Sequence, residues 1–501
     1  MQVKSSRMVS VRWMNGVLAL LCLVLWTSEA GAQTFSWPRQ APPAPLEARP
    51  VKFPPYEVRT LDNGMQVLAV LHHEQPVVSV RLLLRFGAAQ DPVGKFGTAS
   101  LVAALLDDGT TTRTSQDIAG TIDSIGGALG TGAGNDLIFV NVMVMKDSLD
   151  LALDLVADLV RNPIFSLDEI ERQRQQLTSG FKVSYEDPDY VAAVVHDRLV
   201  FGFQSYGFPT SGTPDSVARI TREDLLAFHK RYFSPNDCVV AIVGDVTAKE
   251  AFDGVERVFG SWRRKETPNR VVEDPPEPTR RLIVVDKPDA VQTEIRVGHL
   301  GIPRKHPDYL ALNLAIKILG GEGGNRLQRV LRSEHGLTYG AGAIMRTLAH
   351  SGSIVADTDT RSSATAEALR LIVDEFWKLQ RGRVGPYELS DAQAYLSGHF
   401  PLTIETPGAI AYQLLNAAFF GLSFGELESY RERLQAVTLD DIRRVVRTHL
   451  KPNRLSVVLV GNATEFVQDL KKLGFSDVEL VHLDDLDLTV PDFRRSNTVT
   501  H

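Results

Sequence analysis

Only two cysteines occur in the 501 residues, Cys22 and Cys238. Cys22 falls in an N-terminal leader, so the mature chain keeps one thiol, forms no internal disulfide, and must draw its stability from packing. Long apolar runs are missing as well. The run Val17 to Trp26 is about half of the ~20 residues that a spanning helix needs, and no stable membrane anchor is expected. Lys4, Arg7 and Arg12 precede it and Ala30-Gly31-Ala32 follows it, the pattern of a secretory signal peptide cleaved near Ala32. An uncleaved anchor is the other reading of that run, and Leu20-Leu21 before Cys22 argues against a lipoprotein site. Excess positive charge is also absent. The formal net charge is −7, and loss of three positive charges and one negative with residues 1–32 leaves −9. No basic face for nucleic acid remains. The expected destination is the periplasm, with release beyond the cell as the alternative.

What is present is an ordinary globular composition, 44% hydrophobic and 23% charged, over a length that exceeds one compact core. Residues 33–55 are Pro-rich and aperiodic, an arm between leader and fold. Alternating apolar and polar residues over Tyr56–Val70 and Val77–Phe86, broken at Asp62-Asn63-Gly64 and His73-Glu74-Gln75-Pro76, predict antiparallel strands. Helical periodicity predicts helices over Leu149–Val160 and Asp308–Leu319. The charged, Pro-rich stretch 263–279 predicts a linker between a domain at 56–262 and another at 280–465. The remaining 466–501 is expected to be an acidic tail of weak helical character.

An internal repeat relates the two halves. At an offset of 217, Ile220-Thr221-Arg222-Glu223-Asp224-Leu225 lies over Val437-Thr438-Leu439-Asp440-Asp441-Ile442, Pro235-Asn236 over Pro452-Asn453, and Val239–Gly244 over Ser456–Gly461. Register kept across about 25 residues is the mark of a duplicated unit. Thr221 and Thr438 are the expected N-caps of the repeated helix. The fold class is therefore α+β, two homologous domains, each a mostly antiparallel sheet with helices on one face.

The run Phe86–Ala99, followed by Ser100-Leu101-Val102-Ala103-Ala104 and Asp107-Asp108-Gly109-Thr110, resembles the M16 (pitrilysin, insulinase, mitochondrial processing peptidase) family. Active members carry His-x-x-Glu-His on this helix. Histidines at i and i+4 share a helix face and grip one zinc, and the glutamate activates its water. Those places hold Ser100, Ala103 and Ala104 in this chain. The resemblance puts a further glutamate ligand roughly 76 residues on, at Gly180, and a supporting glutamate at Gln173. Every member of the metal constellation is replaced, so no metal is expected at these positions. His72-His73 sit adjacent on a strand end and point to opposite faces, while His196 and His229 belong to separate helices without a ligand-spaced neighbour.

In the second half, Leu319-Gly320-Gly321-Glu322-Gly323-Gly324-Asn325-Arg326-Leu327 leads into a helix expected to run to about His335 and to stop at Gly336 as a left-handed cap. Leu337-Thr338-Tyr339-Gly340-Ala341 is expected to be a strand. The spacing from Arg332 to Tyr339 is similar to the family's Arg/Tyr pair, which by resemblance orients a scissile carbonyl and donates a hydrogen bond to its oxyanion. Taken alone, Arg332 also fits a helix-end cap and Tyr339 a sheet aromatic. Gly320, Gly321, Gly323 and Gly324 are candidate substrate contacts, because glycine admits a close peptide backbone, or plain turn residues.

The resemblance implies half of a clamshell and a non-catalytic subunit of a heteromeric zinc peptidase. The cofactor expectation is no metal in this chain and zinc in the partner, a subunit bearing His-x-x-Glu-His, with unfolded peptides as substrate. An inert scaffold, similar to the core proteins of the respiratory bc1 complex, is the alternative. An autonomous peptidase with another site is the third.

Overall fold

Each half of the repeat builds a six-stranded mixed sheet. The computed structural model describes residues 52–266, 275–277, 280–321, 323–472, 475 and 477–495. The leader 1–32, nearly all of the arm, the middle of the linker and the end of the tail lie outside the described residues. In the first half, β1 (Tyr56–Thr60), β2 (Gln66–Leu71), β3 (Val77–Leu84), β4 (Ala128–Ala133), β5 (Ile138–Met145) and β6 (Cys238–Gly244) lie in the order β1-β2-β6-β3-β5-β4. In the second, β7 (Leu282–Asp286), β8 (Gln292–Leu300), β9 (Ala341–Thr347), β10 (Gly352–Arg361), β11 (Ser456–Gly461) and β12 (Val478–His482) lie in the order β12-β7-β11-β8-β10-β9.

β2 and β3 were expected side by side. Instead β6 lies between them, parallel to β2 and antiparallel to β3. Its seven residues are all buried, which suits a central strand packed on both faces. β11 stands in the same relation to β7 and β8, so the repeat seen in sequence is a repeat of topology.

Seven helices carry the argument: α1 (Thr98–Ala104), α2 (Leu167–Ser184), α3 (Pro188–Phe201), α4 (Arg222–Tyr232), α5 (Tyr309–Gly320), α6 (Pro407–Phe420) and α7 (Leu439–His449). α4 and α7 are the repeated pair, and both begin as expected. Thr221 Oγ1 accepts from Asp224 N at 3.3 Å while the Asp224 carboxylate accepts from Thr221 N at 2.8 Å. Thr438 and Asp441 repeat this at 3.2 and 3.0 Å, a reciprocal box that satisfies two otherwise orphaned donors.

Strand alternation sorts the core. Val78, Val80 and Leu82 of β3 face the first half's own helices, and Leu282, Val284, Val457 and Leu459 face those of the second. The opposite faces are covered across the duplication. Ile410, Ala411 and Leu414 of α6, from the second half, pack on Leu68, Val70, Val239, Ala241 and Val243 of the first sheet. Val191, Ala192 and Val195 of α3, from the first half, pack on Ile283, Val285, Val458 and Val460 of the second. Helices on one face thus describes each half's own helices only. The exchange is worth roughly 1.5–3 kcal/mol for each large side chain removed from water.

The segment after residue 465 is more ordered than its sequence suggests. A short helix, Val467–Lys472, leads to β12, which pairs in parallel with β7, and Phe493 is fully buried in the cluster beneath α3. β12 is five residues long with acidic neighbours, too short for alternation to stand out against the local charge. No helix among the described residues is long and apolar enough to cross a membrane.

Candidate functional site

The helix that resembles a zinc helix is held by its own backbone needs. Asp91 accepts from Gly97 N at 2.7 Å and Ala99 N at 2.8 Å, satisfying the first donors of α1. Gly97 turns into the helix at φ 99°, with the Ser211 carbonyl so near that a Cβ would lie 2.6 Å from it. Ser100 donates its hydroxyl to Thr210 O at 2.6 Å, so this oxygen already has a partner. Ala103 is wholly buried in the first core and Ala104 is half-buried. Neither methyl group has a donor atom.

α2 carries both positions that the resemblance singles out, Gln173 and Gly180, with other chemistry. Gln173 Nε2 donates to Asp108 Oδ2 at 2.9 Å, just beyond the end of α1, and Arg172 Nη2 pairs with the same carboxylate at 2.7 Å. Burial pushes the neighbouring Asp107 carboxyl above the usual carboxylate range, with the Asp108 charge adding to the rise. Gly180 is exposed, and a Cβ there would meet nothing within 4 Å. The residues do not fit zinc, being two alanines, an occupied hydroxyl, an amide donor and a glycine.

Among the described residues one group of three histidine or carboxylate donors lies together, His306, Asp308 and His449, and it belongs to the second half. Three histidines weighed in the sequence sit apart from this group, and His196 has no hydrogen-bond partner at Nε2. His73 Nδ1 pairs with Asp245 at 2.7 Å, His229 Nε2 donates to Val160 O at 2.8 Å, and His196 is buried under Gly298. Sequence inspection missed the group of three because 141 residues separate Asp308 from His449. The visible signal was His-x-Asp directly ahead of a helix.

Arg332 lies on a seven-residue π-helix, Gln328–Glu334, a form that clusters at functional sites. The helix closes as expected, with Gly336 at φ 61° donating its N–H to Arg332 O at 3.1 Å. Tyr339 departs from expectation. It precedes β9 rather than lying within a strand, because Thr338 Oγ1 and Thr358 Oγ1 both donate to Gly340 O, at 2.8 and 2.7 Å, and hold the chain in a turn. Gln328 Oε1 accepts from Ala341 N at 3.1 Å and ties the start of the π-helix to the end of that turn. Arg332 and Tyr339 therefore project from one braced unit. Both are exposed, Tyr339 at 85%.

The four candidate glycines divide into two pairs. A Cβ on Gly320 would lie 2.1 Å from Ala343 N, and one on Gly321 2.7 Å from Lys317 O, so close packing against β9 and the end of α5 accounts for them. Gly323, at φ 85°, and Gly324 face open space. Together with Gly321 they border a cavity of about 320 Å³ lined also by Lys317, Asn325, Glu388, Asp391 and Tyr395. Arg326 pairs with the lining residue Glu388 through Nε and Nη2 at 2.6 and 2.8 Å.

Comparison with known proteins bears on the family and the fold. Residues 66–206 match the model of insulinase (peptidase family M16), and residues 219–396 match that of the peptidase M16 inactive domain. An uncharacterised zinc protease of Mycobacterium leprae is 26% identical over 407 residues, covering 80% of this chain and 90% of the relative. The crystal structure of a peptidase M16 inactive domain from Pseudomonas fluorescens superimposes with a TM-score of 0.77 at 27% identity, over 81% of this chain and 98% of that one. A protease from Helicobacter pylori gives 0.76 at 21% identity, over 81% and 99%, and the periplasmic protease PqqL of Escherichia coli 0.70 at 16%, over 83% and 50%. These last two bear on fold alone. Two M16-type domains, whose family models match residues 66–206 and 219–396, place the chain in peptidase family M16.

Proposed function

We propose that this chain is the non-catalytic subunit of a heteromeric M16 zinc peptidase. The observation that carries the reading is an asymmetry: the zinc positions Ser100, Ala103, Ala104, Gln173 and Gly180 hold no ligand set, while Arg332 and Tyr339 stand exposed on a braced unit. In this reading a partner chain with His-x-x-Glu-His holds the zinc, which polarises the scissile carbonyl and its attacking water when bound. Arg332 orients the peptide through its planar guanidinium, and the Tyr339 hydroxyl donates to the oxyanion as charge develops. Gly323 and Gly324 let the peptide backbone run close to the cavity beside them. The pair works in the periplasm, where the leader directs this chain, and encloses unfolded peptides.

The test mixes this chain with its zinc-bearing partner and follows peptide cleavage. Mixing should raise the rate above that of the partner alone, and Arg332→Ala or Tyr339→Phe should remove the gain. Unchanged rates with both variants would end the shared-site idea, and full activity of the partner alone would favour an inert scaffold.

A further inference from the structure

The group His306, Asp308 and His449 stands where the ends of two helices meet. Asp308 is the N-cap of α5, yet its side chain caps nothing in that helix. It turns instead to α7, where His449 Nε2 at the helix end lies 2.8 Å from Oδ2 and Arg444 Nη1, in the middle of the helix, 2.7 Å from Oδ1. The His306 and His449 rings meet edge to face, with centroids 5.1 Å apart and planes at 86°. One donor atom from each of the three residues falls within 4.8 Å of the others. Zinc with imidazole and carboxylate ligands at about 2 Å needs donors about 3 to 3.5 Å apart, so a small adjustment of side chains closes the site.

We propose that His306, Asp308 and His449 bind a divalent transition metal of the zinc class, clipping the start of α5 to the end of α7. Two imidazoles and one carboxylate form a borderline N2O set that suits zinc, and water completes the fourth position. His306 Nδ1 accepts a hydrogen bond from Asp308 N at 3.0 Å, so this nitrogen presents a lone pair of the kind a ligand uses. Ligation exchanges that bond and the His449–Asp308 hydrogen bond for coordinate bonds: the His449 ring keeps one proton, on Nδ1, and a second proton, where the ring carries one, leaves to solvent. Arg444 keeps Oδ1 and orients the carboxylate as an outer partner. The side chains of Asp308 and His449 are 15% and 14% exposed, enough for an ion to enter and little enough to shelter it.

The repeat supplies an independent argument. At the place of His449, the last residue of α4 is Tyr232, whose ring packs 5.5 Å from Phe86 and 4.7 Å from Phe228. The duplicated fold is thus stable with an aromatic ring in that register, and the imidazole is a feature of the second half alone. The clip is separate from the positions around α1 and assigns this chain no peptidase chemistry.

The test uses the full mature chain, tag-free and chelator-treated. Titration with zinc against a chromophoric chelator should show one equivalent bound, and cobalt should give the intense visible bands of a four-coordinate site. Thermal melting should move upward with zinc. His306→Ala should lower affinity at least tenfold and abolish the melting shift. If His306→Ala also alters metal-free melting, His306→Asn, which keeps an acceptor for Asp308 N, takes its place. Absence of saturable binding at one equivalent, or equal binding by His306→Ala with His449→Gln, would overturn the proposal.

Discussion

Arg296 of β8 forms an ion pair with Asp189 at the start of α3, and at the matching place in the duplicated half Arg81 of β3 faces Gly408 at the start of α6. Both helices begin with proline, Pro188 and Pro407, and both rest on the sheet of the other half. Among the described residues one junction has its counter-ion and the other lacks it. Arg81 Nε has no hydrogen-bond partner, and burial holds its guanidinium below the usual arginine range.

Gly408→Asp should supply that missing partner. A Cβ there would approach Arg81 Nη2 at 2.9 Å, the movable end of a long side chain, so space is not limiting. Replacing glycine by an acid in the first turn of a helix is expected to add about 1 kcal/mol. Chemical denaturation checks this, and in an Arg81→Ala background most of the gain should disappear.

Rebuilding the zinc helix should fail on packing before it fails on chemistry. Ala103 has no exposure, so Ala103→Glu forces a longer, polar side chain into a closed core at a cost of about 3 kcal/mol or more. Gly180→Glu is the opposite case, since the position is open and helical, and should stabilise by about 0.5–1 kcal/mol. Melting temperatures of the two single variants separate the effects.

Tyr339→Phe should leave the melting temperature unchanged, because the side chain is 85% exposed. In the mixed peptidase assay, loss of one oxyanion donor should lower kcat by about 100-fold. A large change in stability with no change in rate would mark Tyr339 as structural.

Acid should weaken the fold through buried histidine. Burial pushes His229 down to about 4, outweighing its bond to Val160 O, which acts the other way. The unfolded chain therefore binds the proton first, so stability is intact above the unfolded value near 6.5 and falls as pH drops toward 4. At pH 5 the loss from this one group is about 2 kcal/mol. Urea unfolding of wild type and His229→Phe at pH 7 and pH 5 isolates it: the variant should lose less between the two.

Phe493→Ala should cost about 3–5 kcal/mol, since the ring is fully buried beside Val285 and Val460. Denaturant midpoints give the measure.

The parts of this architecture governed by local rules were legible in the sequence. Thr221 and Thr438 cap as their spacing demands, Gly336 adopts the left-handed conformation, and the offset of 217 proves to be a repeat of strand order. The parts governed by distant partners were not. Nothing near Val478 announces that β7 needs a neighbour, and nothing in α3 or α6 says whose sheet each will cover. Tyr339 looked like strand because Leu337-Thr338-Tyr339 favours one locally, but Thr358, from β10, fixes the turn. The candidate metal donors were hidden by separation along the chain in the same way.

The crossed placement of α3 and α6 also bears on how the chain can be divided. A cut in the 263–279 segment gives two fragments, each with one naked apolar sheet face and one unpaired helix that fits the other fragment. Neither piece is self-sufficient, and each is the other's missing layer. Two separately synthesised fragments would therefore recombine into the intact architecture, while one fragment made alone would be driven to clasp a second copy of itself.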